Sequence, residues 1–138
     1  MVNAIVIGKI GEHICCTRLL KLGFSAEIVH LDTTDVVVKV NSTIIRVQVK
    51  ASLKNNHKTS FQFNAGYTGK KHPLTKEHCD ILAFVAIPFE KVYFLPVEQL
   101  NGQCTKRIKM SAFKKKDLEK KTWKNCLNYL IKSHEGSK

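Results

Sequence analysis

The chain opens on an apolar segment, Val2 to Ile7, whose pattern suits either a short strand or part of a helix. From Lys9 to Leu22 the apolar positions Ile10, Ile14, Leu19 and Leu20 recur at helical spacing, and Gly23 stands where a helix terminates. Three β-branched runs follow, Ala26 to Leu31, Asp35 to Val40 and Thr43 to Lys50, parted by Asp32-Thr33-Thr34 and Asn41-Ser42. Ser60 to Asn64 alternates apolar and polar, which predicts a strand with one wet face. A basic connection over 65–78 leads to Asp80 to Ile87 and Lys91 to Leu95, a strand pair apolar enough to lie centrally in a sheet. Pro96 begins a short turn or helix to Leu100. Asp117 to Lys132 then predicts a helix with Leu118, Trp123, Cys126, Leu127, Leu130 and Ile131 on one stripe and lysines opposite.

No repeat, low-complexity tract or linker divides these elements, so 1–138 reads as a single α/β domain, a mixed central β-sheet flanked by helices. At 138 residues and 43% hydrophobic, the chain can build one packed core, which excludes a disordered segment. Its longest apolar run, Ile81 to Ile87, falls well short of the roughly 18 to 20 residues that cross a bilayer, so no membrane partner is expected. The opening residues lack the basic flank and cleavage site of a signal peptide. Five cysteines with no Cys-x2-Cys spacing give no disulfide framework. An intracellular, cytoplasmic setting is the expectation.

Charge changes the picture most. Twenty-three Lys and Arg against 11 Asp and Glu give a net +12, which calls for a polyanionic partner. All the cations but Arg18, Arg46 and Arg107 are lysine, a mix that favours phosphate attraction over base readout.

The runs on either side of Asn41-Ser42 form a hairpin, and a two-residue turn places Asp35 directly opposite Gln48. Gln48 and Lys50, two residues apart, share a face, while Val47 and Val49 turn to the core. Asp and Lys are depleted in strands and costly to bury. Their convergence with Gln48 therefore points to chemistry: hard oxygen ligands for Mg²⁺, with a lysine to orient an attacking water or steady a scissile phosphate. The alternative is a half-exposed ion pair between Asp35 and Lys50 with Gln48 as filler, and on the hairpin alone both stand. Glu12, early in the first helix, supplies a second acidic group.

Gly8-Lys9-Ile10-Gly11-Glu12, then Thr34-Asp35-Val36-Val37, then Arg46-Val47-Gln48-Val49-Lys50 resembles the PD-(D/E)XK nuclease superfamily. Arg46 to Ser52 followed by Cys79-Asp80-Ile81-Leu82-Ala83-Phe84 and Val92 to Glu98 is similar to its branch of intron-encoded homing endonucleases, in which Gln replaces the second acid. Thr34 departs from the proline often found there. The resemblance implies a restriction-endonuclease-like core over about 8–100, with a basic helical extension over 105–138. It implies Mg²⁺ (Mn²⁺ as substitute) held by Asp35, Gln48 and Glu12, with Lys50 orienting water. The activity implied is site-specific cleavage of double-stranded DNA by a homodimer or homotetramer, since two strands require two sites.

Rival motifs are weaker. Gly8 to His13 fails the Walker spacing and the dinucleotide fingerprint, and the His and Cys positions lack the close pairs of zinc sites. Cys15, Cys16, Cys79 and Cys126 read as small core residues and Trp123 as core. Lysine runs at 114–116 and 120–124 suit a solvated face. Lys70, Lys71 and His72, with Tyr67 and Lys54, are the expected DNA contacts, because their loops adjoin the strand beside the hairpin. Two other functions stay open: a Holliday-junction resolvase, and a non-catalytic nucleic-acid-binding module.

Overall fold

The computed structural model describes residues 3–53, 59–67 and 72–136, with side chains to residue 133. Its first element, α1 (Ala4–Lys21), absorbs the opening apolar segment into the expected helix. Asn3 sets the start, its side-chain oxygen accepting from the Val6 N–H at 3.0 Å. Gly23 ends it at φ 95°, which lets the Phe24 N–H reach the Leu19 carbonyl at 3.1 Å. Helix through residues 4–8 leaves Ile5 and Val6 exposed.

Next come β1 (Ser25–Ile28), β2 (Val36–Val40) and β3 (Thr43–Ser52). β4 (Ser60–Asn64) precedes a small ribbon of β5 (Gly66–Tyr67) and β6 (His72–Pro73). β7 (Ile81–Ala86) and β8 (Lys91–Pro96) flank a 3-10 turn, and β9 (Thr105–Lys109) leads through α2 (Met110–Phe113) to α3 (Leu118–Gly136). The main sheet runs β1-β2-β3-β7-β8, antiparallel except for the parallel β3–β7 pair, so the expected mixed central sheet with helices is the observed fold. β1 stops three residues earlier than its β-branched run, because the Val29 N–H turns to the Asp35 carbonyl at 2.8 Å and closes a loop over 29–35.

Period-two alternation sorts the sheet's side chains between two cores. Val36, Val38, Val47, Val49, Ala83 and Phe94 pack with Cys15 and Leu19 of α1 and Trp123 and Cys126 of α3. Leu82, Phe84, Ala86 and Leu95 face the other way, onto Phe61 and Phe63 of β4, Ile108 of β9 and Phe113 of α2. β7 is buried on both sides, which is why it reads as a continuous apolar run. Trp123 is core as expected, edge-on to Phe94 at 4.9 Å and to Phe24 at 5.6 Å.

The basic helical extension needs correction. Residues 105–109 are strand β9, paired with β4, and the helix proper starts at Leu118. Only Ile108 turns a hydrophobic side chain inward from β9, too sparse an alternation to read as a strand. Nor is the helix an appendage. Glu119, buried at 3% exposure, accepts from the Val92 N–H of β8 at 3.0 Å and pairs with Arg18 of α1 at 3.2 Å. The 65–78 connection, expected as loop, contains the β5–β6 ribbon. Cys15, Cys79 and Cys126 are buried and free, while Cys16 is only half-buried.

α1 approaches β3 at Gly11, where an added Cβ would stand 2.6 Å from the Ala51 Cβ. Both atoms belong to short, rigid side chains, so the helix itself must move. Gly11→Ala is expected to lower stability by about 1–3 kcal/mol despite alanine's better helix propensity, and adding Ala51→Gly to recover part of it. Urea denaturation of the two variants checks this; an equally stable Gly11→Ala would mean the contact is not limiting.

Candidate active site

The β2–β3 hairpin turns through Asn41, at φ 56°, and pairs Val40 with Thr43 and Val36 with Val47, the register expected of a two-residue turn. Asp35 extends the ladder by one residue. Its N–H donates to the Val47 carbonyl at 2.9 Å, and its Oδ2 accepts from the Val49 N–H at 2.8 Å. With Val47 and Val49 buried beneath α1, Gln48 and Lys50 occupy the opposite face, toward β4 and β5. The Lys50 Nζ donates to the Gly66 carbonyl at 3.4 Å. Among the described residues no direct ion pair joins Asp35 to Lys50, although each charge acts on the other.

Gln48 carries the clearest sign of an unmet demand. Its Oε1 is fully buried and has no hydrogen-bond partner among the described residues. Burying an amide oxygen unsatisfied costs about 1–3 kcal/mol, so such an atom calls for an explanation. Glu12 follows the Gly11 contact on α1 and lies within electrostatic reach of Asp35. Burial pushes its carboxyl above the usual carboxylate range and the Asp35 charge pushes it further, against the pull of His30, His13 and Lys9. Burial also raises Asp35, opposed by the Val49 N–H, Lys50 and His30. Lys50 is lowered by its burial and partly restored by Asp35.

The fold thus brings Asp35, Gln48 and Lys50 together where β2 meets β3 and sets Glu12 of α1 within electrostatic reach of Asp35. His30 joins them, an exposed side chain near enough to act electrostatically on both carboxylates. Sequence reading missed it because its approach depends on the Val29–Asp35 hydrogen bond, which no periodicity announces. Arg46 serves the architecture. Its guanidinium binds Asp80 Oδ1 at 3.1 Å and the Lys76 carbonyl at 2.7 Å, fixing the entry to β7 beside β3. Of the expected DNA contacts, Tyr67 lies half-buried with its ring 4.4 Å from that of His78, and His72 is exposed across the ribbon from it. Lys54, Lys70 and Lys71 fall outside the described residues.

Among the described residues no three His, Cys, Asp or Glu side chains gather into a metal-ligating group. The donors here are of another composition: two carboxylates and a buried amide oxygen, all hard ligands suited to Mg²⁺ or Mn²⁺. The residues fit such an ion, and the orphaned Gln48 oxygen is the observation that says so. No helix among the described residues is long and apolar enough to cross a membrane.

The fold is similar to that of a bacterial homing endonuclease, I-Ssp6803I, with a TM-score of 0.63 and 21% sequence identity, covering 78% of this chain and 76% of that one. No family model and no curated protein sequence matches the chain.

Raised carboxyl pKa values make the site unfavourable to the folded state at neutral pH. Asp35 and Glu12 favour folding when protonated, a contribution fully present below the ordinary carboxylate pKa of about 4 and lost as pH rises through their higher folded values. Asp35→Asn, which keeps an oxygen for the Val49 N–H, and Glu12→Gln are each expected to melt a few degrees above the wild type at pH 7 in EDTA. The advantage should shrink toward pH 4. Variants that melt lower at pH 7 would show that the carboxylates are held by compensating contacts.

Proposed function

We propose that the chain is a metal-dependent endonuclease of the PD-(D/E)XK superfamily, cutting double-stranded DNA at a specific site as homing endonucleases do, inside the cell. One observation carries the reading: Asp35, within electrostatic reach of Glu12 and Lys50, stands across the hairpin from Gln48, whose buried Oε1 has no hydrogen-bond partner among the described residues. The likeness of fold to a bacterial homing endonuclease supports it, as does the net charge of +12.

In this reading Asp35 and Gln48 hold a Mg²⁺ ion, for which Mn²⁺ can substitute, with Glu12 acting through water or on a second ion. A bound ion of this kind supplies Lewis acidity toward the scissile phosphate and acidifies water. The protein's own groups do the positioning. The Val49 N–H fixes one Asp35 oxygen and leaves Oδ1 for the ligand role. Lys50, tethered at Gly66, orients the attacking water and steadies the charge that develops on the phosphate. Its burial strengthens both effects by removing competing solvent. Tyr67 and His72, with Lys54, Lys70 and Lys71, contact the DNA backbone. Two strands require two such sites, so the working form is a homodimer or homotetramer, for which light scattering with DNA bound is the check.

The test is cleavage with Mg²⁺ on linear duplex pools and on a four-way junction, comparing wild type with Asp35→Asn and Lys50→Ala. Discrete cutting of duplex by wild type is expected, reduced by about 100-fold or more in either variant while binding is kept. Junction-only cutting would make the protein a resolvase, and binding without cleavage of any substrate would make it a non-catalytic module. Gln48→Glu should tighten Mg²⁺ binding measured by calorimetry, since it adds charge at a ligand position. Unchanged affinity would remove Gln48 from the metal site.

A further inference from the structure

The β4–β9 ribbon stands apart from the main sheet and presents one face to solvent. Its register pairs Gln62 with Arg107 and Asn64 with Thr105. Alternation turns Phe61, Phe63 and Ile108 into the core and leaves Gln62, Asn64, Thr105, Arg107 and Lys109 outward. We infer that this outer face enters the major groove of duplex DNA and reads base sequence there, with Arg107 and Gln62 as the specificity-determining pair. The inference rests on the proposed function only in taking DNA as the partner, and it assigns a surface distinct from the loop contacts above.

The residue types suit base readout. A guanidinium fork matches guanine N7 and O6, Gln and Asn amides match adenine N6 and N7, and a lysine supplies backbone charge. Arg107 is exposed and hydrogen-bonds across the ribbon to Gln62 Oε1 at 3.3 Å. That bond pre-aligns the guanidinium beside the amide. Outward residues two apart on a strand are separated by about 6.8 Å, which matches two base-pair steps, and a two-stranded ribbon fits the roughly 12 Å major groove.

The mounting is rigid, as discrimination requires. Phe61 and Phe63 lock into Phe113 and Phe84 at 5.3 and 5.1 Å. Backbone bonds from Ala65 to Cys104 and from Met110 to Thr59, each 2.8 Å, close the ribbon at both ends. β4 also runs through Ala65 into Gly66, whose carbonyl holds Lys50. The bases read and the phosphate presented to Lys50 are therefore set at a fixed offset.

Selection from randomised duplexes in EDTA tests this without requiring cleavage. Wild type should enrich one motif. Arg107→Ala and, independently, Gln62→Ala should keep the wild-type melting temperature and lose at least fivefold discrimination at one or two adjacent positions. Lys109→Gln should weaken all sequences alike and lower the salt slope by about one. The inference is overturned if both variants select the wild-type motif, or if wild type enriches no motif or binds no duplex. Motif selection that depends on Arg107, with no Mg²⁺-driven cleavage, would sustain the ribbon and sink the nuclease. Cleavage with unaltered specificity in both variants would do the reverse.

Discussion

Period-two alternation along β3 is the constraint on which the rest of the molecule depends. Val47 and Val49 must be apolar because α1 crosses over them, and this same requirement turns Gln48 and Lys50 to the other face. A one-residue slip in the hairpin would bury Lys50 under the helix and expose the valines. The two-residue turn at Asn41-Ser42 prevents the slip, and the Asp35 carboxylate bonding to the Val49 N–H locks the open end of the pair. α1 can then approach closely enough at Gly11 to deliver Glu12. Register, helix packing and chemistry are one arrangement.

The electrostatics of the site follow from what that arrangement brings together. Asp35 and Glu12 are raised mainly by burial, and the Asp35 charge raises Glu12 further. A third carboxylate at position 48 would add to this repulsion. Gln48 provides an oxygen without another negative charge, which moderates the electrostatic cost of the site to the fold. His30 works in the same direction by drawing both carboxyl pKa values down.

What the sequence disclosed divides along physical lines. The hairpin register was legible because a two-residue turn and strict alternation leave one solution, and β4 showed the same alternation in Ser60 to Asn64. The start of α1 was not, because its residues 4–8 are apolar on several faces at once and the Asn3 cap alone decides the matter. β9 escaped because its outward positions and Lys106 are polar or charged, leaving Ile108 as its sole inward hydrophobe. His30 and the Arg46–Asp80 clamp join residues distant in sequence through tertiary contacts, and composition does not register such proximity.

β9 also bears on how the inferred recognition and the proposed chemistry would share one small domain. The side chains that build the ribbon into the fold, Phe61, Phe63 and Ile108, share no face with Gln62, Asn64, Arg107 and Lys109. Substitution of Gln62, Arg107 or Lys109 therefore leaves the second core intact, whereas Asn64, whose Oδ1 accepts from the Gly66 N–H at 2.9 Å, adjoins the carbonyl that tethers Lys50. A recognition surface built this way can change its preferred bases while the groups around Asp35 stay fixed. On the proposed reading, the same separation would keep the lysine's position independent of Gln62 and Arg107, so that specificity could vary there at little cost to the chemistry.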